Sequence, residues 1–218
     1  MKRGQQELRN VAFDITGVEC RDDGESGLVH VTGTAIVFNQ VTRISSFWDE
    51  FDEMIDRHAL DDADMSDVAL FVNHDSRMIP LARSRNGNGT LSFSIDDAGL
   101  HIDTDLDVKE NPKASELVSA LRRADISKMS FAFRIEAQEW SRLGKDEIPL
   151  RIIKKISVLH EVSIVNYPAY DGTSADARSE EGQERPHCKA LEEARAKWAE
   201  THKDTLELAK AKALGMTI

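Results

Sequence analysis

The chain is poor in cysteine and in long apolar runs, and it lacks an excess of positive charge. Its two cysteines, Cys20 and Cys188, stand far apart and form no CxxC pair, which argues against a structural zinc site and against a disulfide framework. No apolar run approaches the roughly 20 residues that cross a bilayer. The N-terminal residues MKRGQQ lack the apolar stretch of a secretory signal peptide. We therefore expect a protein that stays in the cytoplasm and does not enter a membrane.

Basic residues are outnumbered by acidic ones. The chain carries 28 Lys and Arg residues against 39 Asp and Glu, which gives a formal net charge of −11. A surface that binds nucleic acid must present excess positive charge to the phosphates. The composition therefore argues against a nucleic-acid partner, whereas 40% hydrophobic and 31% charged residues are typical of an ordinary globular protein.

Most of the patterned segments predict β-strands. Apolar or alternating runs rich in β-branched residues lie at 11–18, 28–38, 68–72, 91–95, 100–106, 150–156 and 159–165. We expect the first two to form a hairpin or to lie side by side, because the turn-forming residues 21–27 separate them. Residues 47–60 mix aromatic and acidic side chains, and their large apolar residues, Phe47, Trp48, Phe51, Met54 and Ile55, stand at roughly helical spacing. This pattern predicts a loop with a short helix.

One helix is predicted inside this β-rich region and another after it. Asn111 and Pro112 supply an N-cap and a proline suited to the first helical position. The apolar positions that follow repeat on one helical face, at Ala114, Leu117, Val118 and Leu121. Towards the C-terminus the composition changes. We predict a folded domain at 1–170, a polar linker at 171–188 with almost no apolar residues, and a helical tail at 189–218 rich in Ala, Glu, Lys and Leu.

Three polar side chains stand where a structural role alone is strained. His74 follows a buried strand, Ser130 lies at the entry of a strand, and Glu161 interrupts an apolar strand. A serine hydroxyl attacks a carbonyl only when a base such as histidine takes its proton, and an acidic group then orients the imidazole. Each residue alone also fits a structural role: an exposed strand-end histidine, a small residue at a strand start, and an acid paired with Arg151, Lys154 or Lys155.

Four sequence blocks resemble those of the caudovirus prohead serine proteases, whose fold is similar to that of the herpesvirus assemblins. The blocks are FVNHD at 71–75 with PLAR at 80–83, DDAGL at 96–100, ISKMSFAF at 126–133, and LHEVSIV at 159–165 with PAY at 168–170. The resemblance covers roughly residues 28 to 177, in the order that the family shows. It implies an α+β, β-rich fold: a partly closed antiparallel β-barrel surrounded by helices.

Carried over residue by residue, the resemblance implies Ser130 as nucleophile, His74 as general base and Glu161 as the orienting acid. Asp75 and Asp103 compete with Glu161 for the third role. His160 is a further candidate, because assemblins use a second histidine there.

The resemblance is weaker at three other positions. Arg83, or a backbone N–H near it, is a candidate oxyanion-hole donor by analogy with the arginine-containing loops of assemblins. Ala82 and Ala132 depart from the family pattern, which more often has glycine at these two positions.

The function that the resemblance implies is maturation of a phage capsid. A serine endopeptidase would cleave the scaffold protein or scaffold segment, the leader of the major capsid protein and itself, inside the assembling prohead in the bacterial host cytoplasm. It would need no metal or organic cofactor. Self-cleavage in the linker 171–188 and an oligomeric active form are further expectations.

Two other classes stay open at this point. One is a non-enzymatic capsid or scaffold component that retains the protease fold. The other is a metal-dependent hydrolase that uses His74, Asp75 and Asp103, although the chain lacks HxxxH or HxH spacing.

Overall fold

A computed structural model describes residues 6–13, 19–22, 26–45, 50–144, 147–166 and 186–203. The described residues form twelve strands and two helices. The strands are β1 (Gln6–Phe13), β2 (Glu19–Asp22), β3 (Leu28–Val37), β4 (Thr42–Ser45), β5 (Glu50–Ile55), β6 (Asp67–Val72), β7 (Ala82–Arg85), β8 (Asn88–Gly89), β9 (Leu91–Ile95), β10 (Gly99–Asp107), β11 (Lys128–Ser141) and β12 (Leu150–Val165). The helices are α1 (Pro112–Arg122) and α2 (Pro186–Thr201).

The strands pair into two sheets. The larger has the order β1-β11-β12-β6-β7-β8, and β5 pairs with the start of β12 while β4 pairs with β5. The smaller has the order β2-β3-β10-β9. The protein is therefore β-rich with few helices, as the sequence predicts. Strand pairing among the described residues closes neither sheet into a ring, so the partly closed barrel stays a prediction.

The longest strands, β11 and β12, form the centre of the larger sheet. They pair antiparallel from Lys128 opposite Val165 to Ser141 opposite Leu150. The sequence predicts two strands at 150–156 and 159–165, but the structure has one continuous strand. It runs parallel to β5 at its start and parallel to β6 at its end, so one strand supports two separate neighbours.

Helix α1 has the predicted start and the predicted apolar face. The Asn111 side chain accepts hydrogen bonds from the backbone N–H groups of Lys113 and Ala114, at 3.1 Å and 3.4 Å, and proline occupies the first turn. Ala114, Leu117 and Val118 are buried. Capping and burial of one face together confirm this helix.

The prediction for residues 47–60 is wrong in its main element, because residues 50–55 form strand β5 rather than a helix. Phe51 is buried in this strand. Two acids of this strand are buried as well: Asp52 lies 2.5 Å from Arg43, and Glu53 lies 3.1 Å from Arg151. Cations from other strands therefore compensate these carboxylates, and a local pattern cannot reveal such pairing.

The predicted partner of β3 is also wrong. Strand β2 pairs with β3, whereas β1 joins the other sheet through β11. Strand β1 pairs with a strand that is distant in the sequence, and the turn-forming residues 21–27 cannot indicate such a pairing. Residues 14–18 of the predicted first strand lie outside the described residues.

The turn between β9 and β10 follows the DDAGL block. The Asp96 carboxylate accepts hydrogen bonds from the backbone N–H groups of Ala98 and Gly99, at 2.8 Å and 3.0 Å. A hydrogen bond from His101, followed by these two backbone bonds, lowers the pKa of Asp96 to about 2. A Cβ at Gly99 would lie 1.9 Å from the backbone oxygen of Ile36. The glycine is therefore required for the close approach of the two strands.

Helix α2 begins at Pro186, within the predicted linker and ahead of the predicted tail. Residues 171–185 of the linker and 204–218 of the tail lie outside the described residues. No helix among the described residues is long and apolar enough to cross a membrane.

Candidate active site

His74 lies in a sharp turn at the end of β6. Asn73 and His74 have φ angles of 52° and 57°, a left-handed conformation that Asn and His adopt more readily than most residues. The turn is fixed to the neighbouring strand at two points. The Asn73 N–H donates to the Ile164 carbonyl at 3.0 Å, and the Asn73 side chain accepts from the Asn166 N–H at 2.9 Å. These bonds hold a backbone that would otherwise be unfavourable.

Ser130 is the third residue of β11. Its neighbours Met129 and Phe131 belong to the hydrophobic core, and since side chains alternate along a strand, the serine points to the other face. Ser130 stands directly opposite Ser163 on β12. The residue is fully buried, with 0% of its surface exposed.

Glu161 lies two residues before Ser163, and so on the face that carries the serine, and a β-bulge in β12 immediately precedes it. Ala132 pairs with Glu161 and Phe133 pairs with Leu159, so His160 is an extra residue opposite the shorter step of β11. An extra residue reverses the alternation of side chains beyond it. As a result Leu159 packs in the core, while Glu161 turns to the face that carries the serine.

These elements bring His74, Ser130 and Glu161 into one hydrogen-bonded chain. The Ser130 Oγ lies 2.9 Å from the His74 Nε2, and the His74 Nδ1 is hydrogen-bonded to a carboxylate oxygen of Glu161. A carboxylate accepts a hydrogen bond, so it favours the imidazole with its proton on Nδ1 and leaves Nε2 to accept from the serine. The His74 side chain is 12% exposed and that of Glu161 8% exposed. The arrangement can therefore remove a proton from a serine hydroxyl in a water-poor setting.

Ser163 completes the surroundings of the carboxylate, and the sequence analysis does not identify it. Its hydroxyl donates to the second oxygen of Glu161 at 2.5 Å and accepts from the backbone N–H of His74 at 3.3 Å. One buried side chain thus contacts both the acid and the turn that carries the imidazole. The signal in the sequence is its place two residues after Glu161, which puts both on one face of a strand.

The rival candidates for the third position lie elsewhere. Asp75 forms an ion pair with Arg77 at 2.9 Å. Asp103 belongs to the smaller sheet, 3.3 Å from His30. His160 is the bulge residue; burial is the main cause that lowers its pKa. The contact with Nδ1 of His74 belongs to the neighbouring glutamate.

The metal alternative requires His74, Asp75 and Asp103 to converge. Among the described residues, no group of three His, Cys, Asp or Glu side chains is placed to hold a metal ion. The structure does not bring this set together.

The cations that could pair with Glu161 bind other acids. Each of the three predicted alternatives has a carboxylate partner on another element. The pairs are Arg151 with Glu53 at 3.1 Å, Lys154 with Asp56, and Lys155 with Asp62 at 3.3 Å. Glu161 therefore makes its short contacts with the histidine and with a serine instead.

The structure gives no support to Arg83 as an oxyanion donor. Its guanidinium donates twice to Asp67, at 2.6 Å and 2.7 Å, and its backbone N–H donates to the Thr90 hydroxyl at 3.2 Å. Asp67 begins β6, whereas the histidine turn follows the end of that strand. The oxyanion donors are therefore unassigned.

The two alanines that depart from the family pattern are accommodated. Ala82 is 3% exposed and Ala132 is 0% exposed, and both keep their strand pairs, with Leu70 and with Glu161. The additional methyl groups therefore leave the strand pairing intact.

Comparison with known proteins agrees with the resemblance. The profile of the family described as caudovirus prohead serine protease matches residues 16–187. The prohead protease of Enterobacteria phage HK97 is 25% identical over 165 residues, which cover 74% of this chain and 64% of that protein. The chain thus spans less than two thirds of that relative's length. No solved structure gives a significant match.

Proposed function

Because the chain belongs to the caudovirus prohead serine protease family, we propose that it is a serine endopeptidase in which Ser130 is the nucleophile, His74 the general base and Glu161 the orienting acid. The observation that carries this proposal is the continuous contact from the Ser130 Oγ through the imidazole to the carboxylate. Family membership supports the reaction class, and the contacts support the roles that we propose.

The chemistry follows from these contacts. The Ser130 oxygen attacks the scissile carbonyl while His74 Nε2 takes the hydroxyl proton, and His74 later gives that proton to the leaving amine. Such proton transfer typically contributes about 10²–10⁴-fold. Glu161 stabilises the imidazolium that forms in between. Water then attacks the acyl-enzyme with the same imidazole as base, and the serine is regenerated.

Ser163 acts in this scheme as a positioning residue. It holds the second oxygen of Glu161, so the first oxygen faces the imidazole. Because its hydroxyl also accepts from the His74 backbone, it links the orientation of the acid to that of the base.

The substrates that we propose are proteins of the assembling phage shell. They are the scaffold protein or scaffold segment, the leader of the major capsid protein, and this chain itself, cleaved inside the prohead in the bacterial host. A net charge of −11 suits work that precedes the entry of DNA, because like charges repel. We place self-cleavage in the linker 171–188.

Co-expression with the capsid and scaffold proteins tests the proposal. Intact masses of all components are compared between the native chain and Ser130→Ala. Ser94→Ala is a matched control, because Ser94 is an exposed serine on β9 in the smaller sheet. We expect processing with the native chain and with Ser94→Ala, and none with Ser130→Ala.

The opposite results are equally informative. Unprocessed capsid and scaffold proteins with all three chains, in shells that still form, would support a non-enzymatic capsid component. Processing that persists in Ser130→Ala would remove Ser130 as the nucleophile. An active chain whose mass showed no cut within 171–188 would refute self-cleavage in the linker.

A further inference from the structure

The nucleophile is covered in this structure. Ser130 has 0% of its surface exposed, and the side chains of His74 and Glu161 are 12% and 8% exposed. Attack on a peptide carbonyl brings the reacting atoms to about 3–3.5 Å. A polypeptide substrate cannot approach a fully buried hydroxyl this closely, so part of the surroundings must move before a protein is cleaved.

Strand β1 borders the nucleophile on the side away from β12. It is the outermost described strand of the larger sheet and pairs antiparallel with β11. Gln6 to Arg9 run opposite Arg134 to Phe131, and pairing resumes with Phe13 opposite Met129. The residue of β11 between these two paired stretches is Ser130.

The register of β1 breaks at that serine. Between the pairs Arg9–Phe131 and Phe13–Met129 lie residues 10–12 of β1 but only Ser130 of β11. A bulge leaves its extra residues outside the ladder of hydrogen bonds. An extended chain therefore lies along the nucleophile strand, in register on both sides of Ser130 and with a shift of register beside it.

An extended polypeptide can bind a sheet by adding a strand to an exposed edge through main-chain hydrogen bonds. The edge of β11 is of this kind, and β1 occupies it. The match to the family profile begins at residue 16. It thus includes β11, β12 and β6, whereas β1 lies outside the matched residues.

We propose that β1 occupies the edge of β11 on which an extended segment of the protein substrate pairs, and that β1 keeps the site closed until it is displaced. The proposal rests on the proposed function and adds to it the binding mode of the substrate and its internal competitor. Recognition through the main chain accepts many sequences, with selectivity left to side-chain contacts. Displacement of β1 opens the edge and the nucleophile together.

The test compares full-length chains in which β1 is locked or released. Gln6→Cys with Arg134→Cys places a disulfide across a registered pair, at a Cα separation of about 4.5–5.5 Å that suits the bond. Cys20 and Cys188 are changed to serine in this variant to prevent mispairing. Glu7→Pro with Leu8→Pro releases β1, because adjacent N–H groups point to opposite sides and one of the two must face β11. Glu7→Ala with Leu8→Ala is the matched control that keeps both N–H groups.

The first readout is the rate at which a fluorophosphonate phosphonylates Ser130 with loss of fluoride, followed by intact mass. We expect the released chain to react about tenfold faster than the alanine control, since lost ladder bonds shift the closed state towards the open one. We expect the oxidised locked chain to react about tenfold more slowly than its reduced form. Equal rates in all of these folded chains would overturn the proposal.

A second readout does not depend on catalysis. A labelled peptide of residues 6–13 is titrated into locked and released chains that also carry Ser130→Ala, and its fluorescence anisotropy is followed. Tighter binding to the released chain, by about tenfold or more, supports the shared edge even if Ser130 never reacts with the fluorophosphonate. That lack of reaction would count against the proposed function alone. Equal binding, or none to either chain, would overturn the shared edge even if Ser130 proves to be the nucleophile.

Discussion

Glu161→Gln removes one charge and keeps the shape of the side chain. The imidazole then meets an amide in place of a carboxylate, and the amide has one oxygen and one NH₂ group. Its orientation decides which tautomer His74 adopts, because an oxygen accepts from Nδ1–H whereas NH₂ donates to a bare Nδ1. Only the first arrangement leaves Nε2 able to accept the Ser130 proton.

Ser163 biases that choice in the inactivating direction. Its hydroxyl donates to the outer oxygen of Glu161 while accepting from the His74 backbone. In the glutamine variant the donation survives only if the amide oxygen faces Ser163, and this places NH₂ against His74. The net contribution of such a hydrogen bond is about 1 kcal/mol, which corresponds to about a fivefold preference for the wrong tautomer.

The expected loss in Glu161→Gln is larger than this bias alone, because the amide also lacks the negative charge that stabilises the imidazolium. Replacement of the acid in a triad by its amide lowers turnover by about 10⁴-fold, or about 5.4 kcal/mol at 1.36 kcal/mol per tenfold. Adding Ser163→Ala removes the bias, so the productive orientation should rise from about one sixth to about one half, and the double variant should react about threefold faster than Glu161→Gln. Ser163→Ala alone should slow the reaction, since it frees the second oxygen of the acid.

The assay is the rate at which a fluorophosphonate phosphonylates Ser130, measured by intact mass for the native chain, the two single variants and the double variant. Glu136→Gln is the matched control, because Glu136 is a half-exposed acid on β11 that pairs with Lys155, and its loss should change the rate little. Retention of more than about a tenth of the native rate in Glu161→Gln would refute the assigned role of the acid. A double variant slower than Glu161→Gln, by the product of the single effects, would refute the tautomer argument.

Three further predictions concern stability. Glu53→Gln breaks an ion pair whose two side chains are only 1% and 2% exposed. Because the buried Arg151 then lacks this carboxylate, the free energy of unfolding should fall by about 3–5 kcal/mol. Urea denaturation measures this, and a loss below about 1 kcal/mol would show that water reaches the pair. Gly99→Ala places a methyl carbon 1.9 Å from the Ile36 oxygen, so the strands must separate, at about 1–3 kcal/mol or more; an unchanged melting temperature would contradict this close approach. Asp96→Asn removes a carboxylate whose folded-state pKa is lowered to about 2, below its unfolded value of about 3.9. The stabilisation by the carboxylate should be fully present above about pH 4 and vanish as the pH falls through 2. The difference in free energy of unfolding between the native chain and Asp96→Asn should therefore disappear between about pH 4 and pH 2. A difference that stays constant over this range would contradict the lowered pKa.

Side chains that lie near each other only after folding mark the limit of what the sequence predicts. His74, Ser130 and Glu161 are named from residue blocks, and the structure brings all three together. Ser163 is part of one of those blocks, yet a serine in an apolar strand carries no signal by itself. Its contacts depend on a turn at the end of β6, and nothing local to β12 indicates that turn.

Strands with charged residues show a second limit. Residues 50–55 look like an amphipathic segment because Asp52 and Glu53 suggest contact with water, but Arg43 and Arg151 neutralise them from other strands. The bulge at His160 is similar, since it exists only relative to the partner strand. Helix α1 is predictable by contrast, because its cap and its apolar face are set within one short segment.

The order in which the three groups are synthesised has a consequence for the cell. Ser130 follows His74 by 56 positions, and Glu161 follows His74 by 87. The turn that carries the histidine is hydrogen-bonded to Ile164 and Asn166. A ribosome-bound chain therefore contains the proposed base and the proposed nucleophile before it contains β12, the strand that lies between them in the sheet. Until β12 has emerged, the imidazole has neither the contacts that fix its turn nor its carboxylate partner, so the proposed proteolytic activity should be absent from the nascent chain.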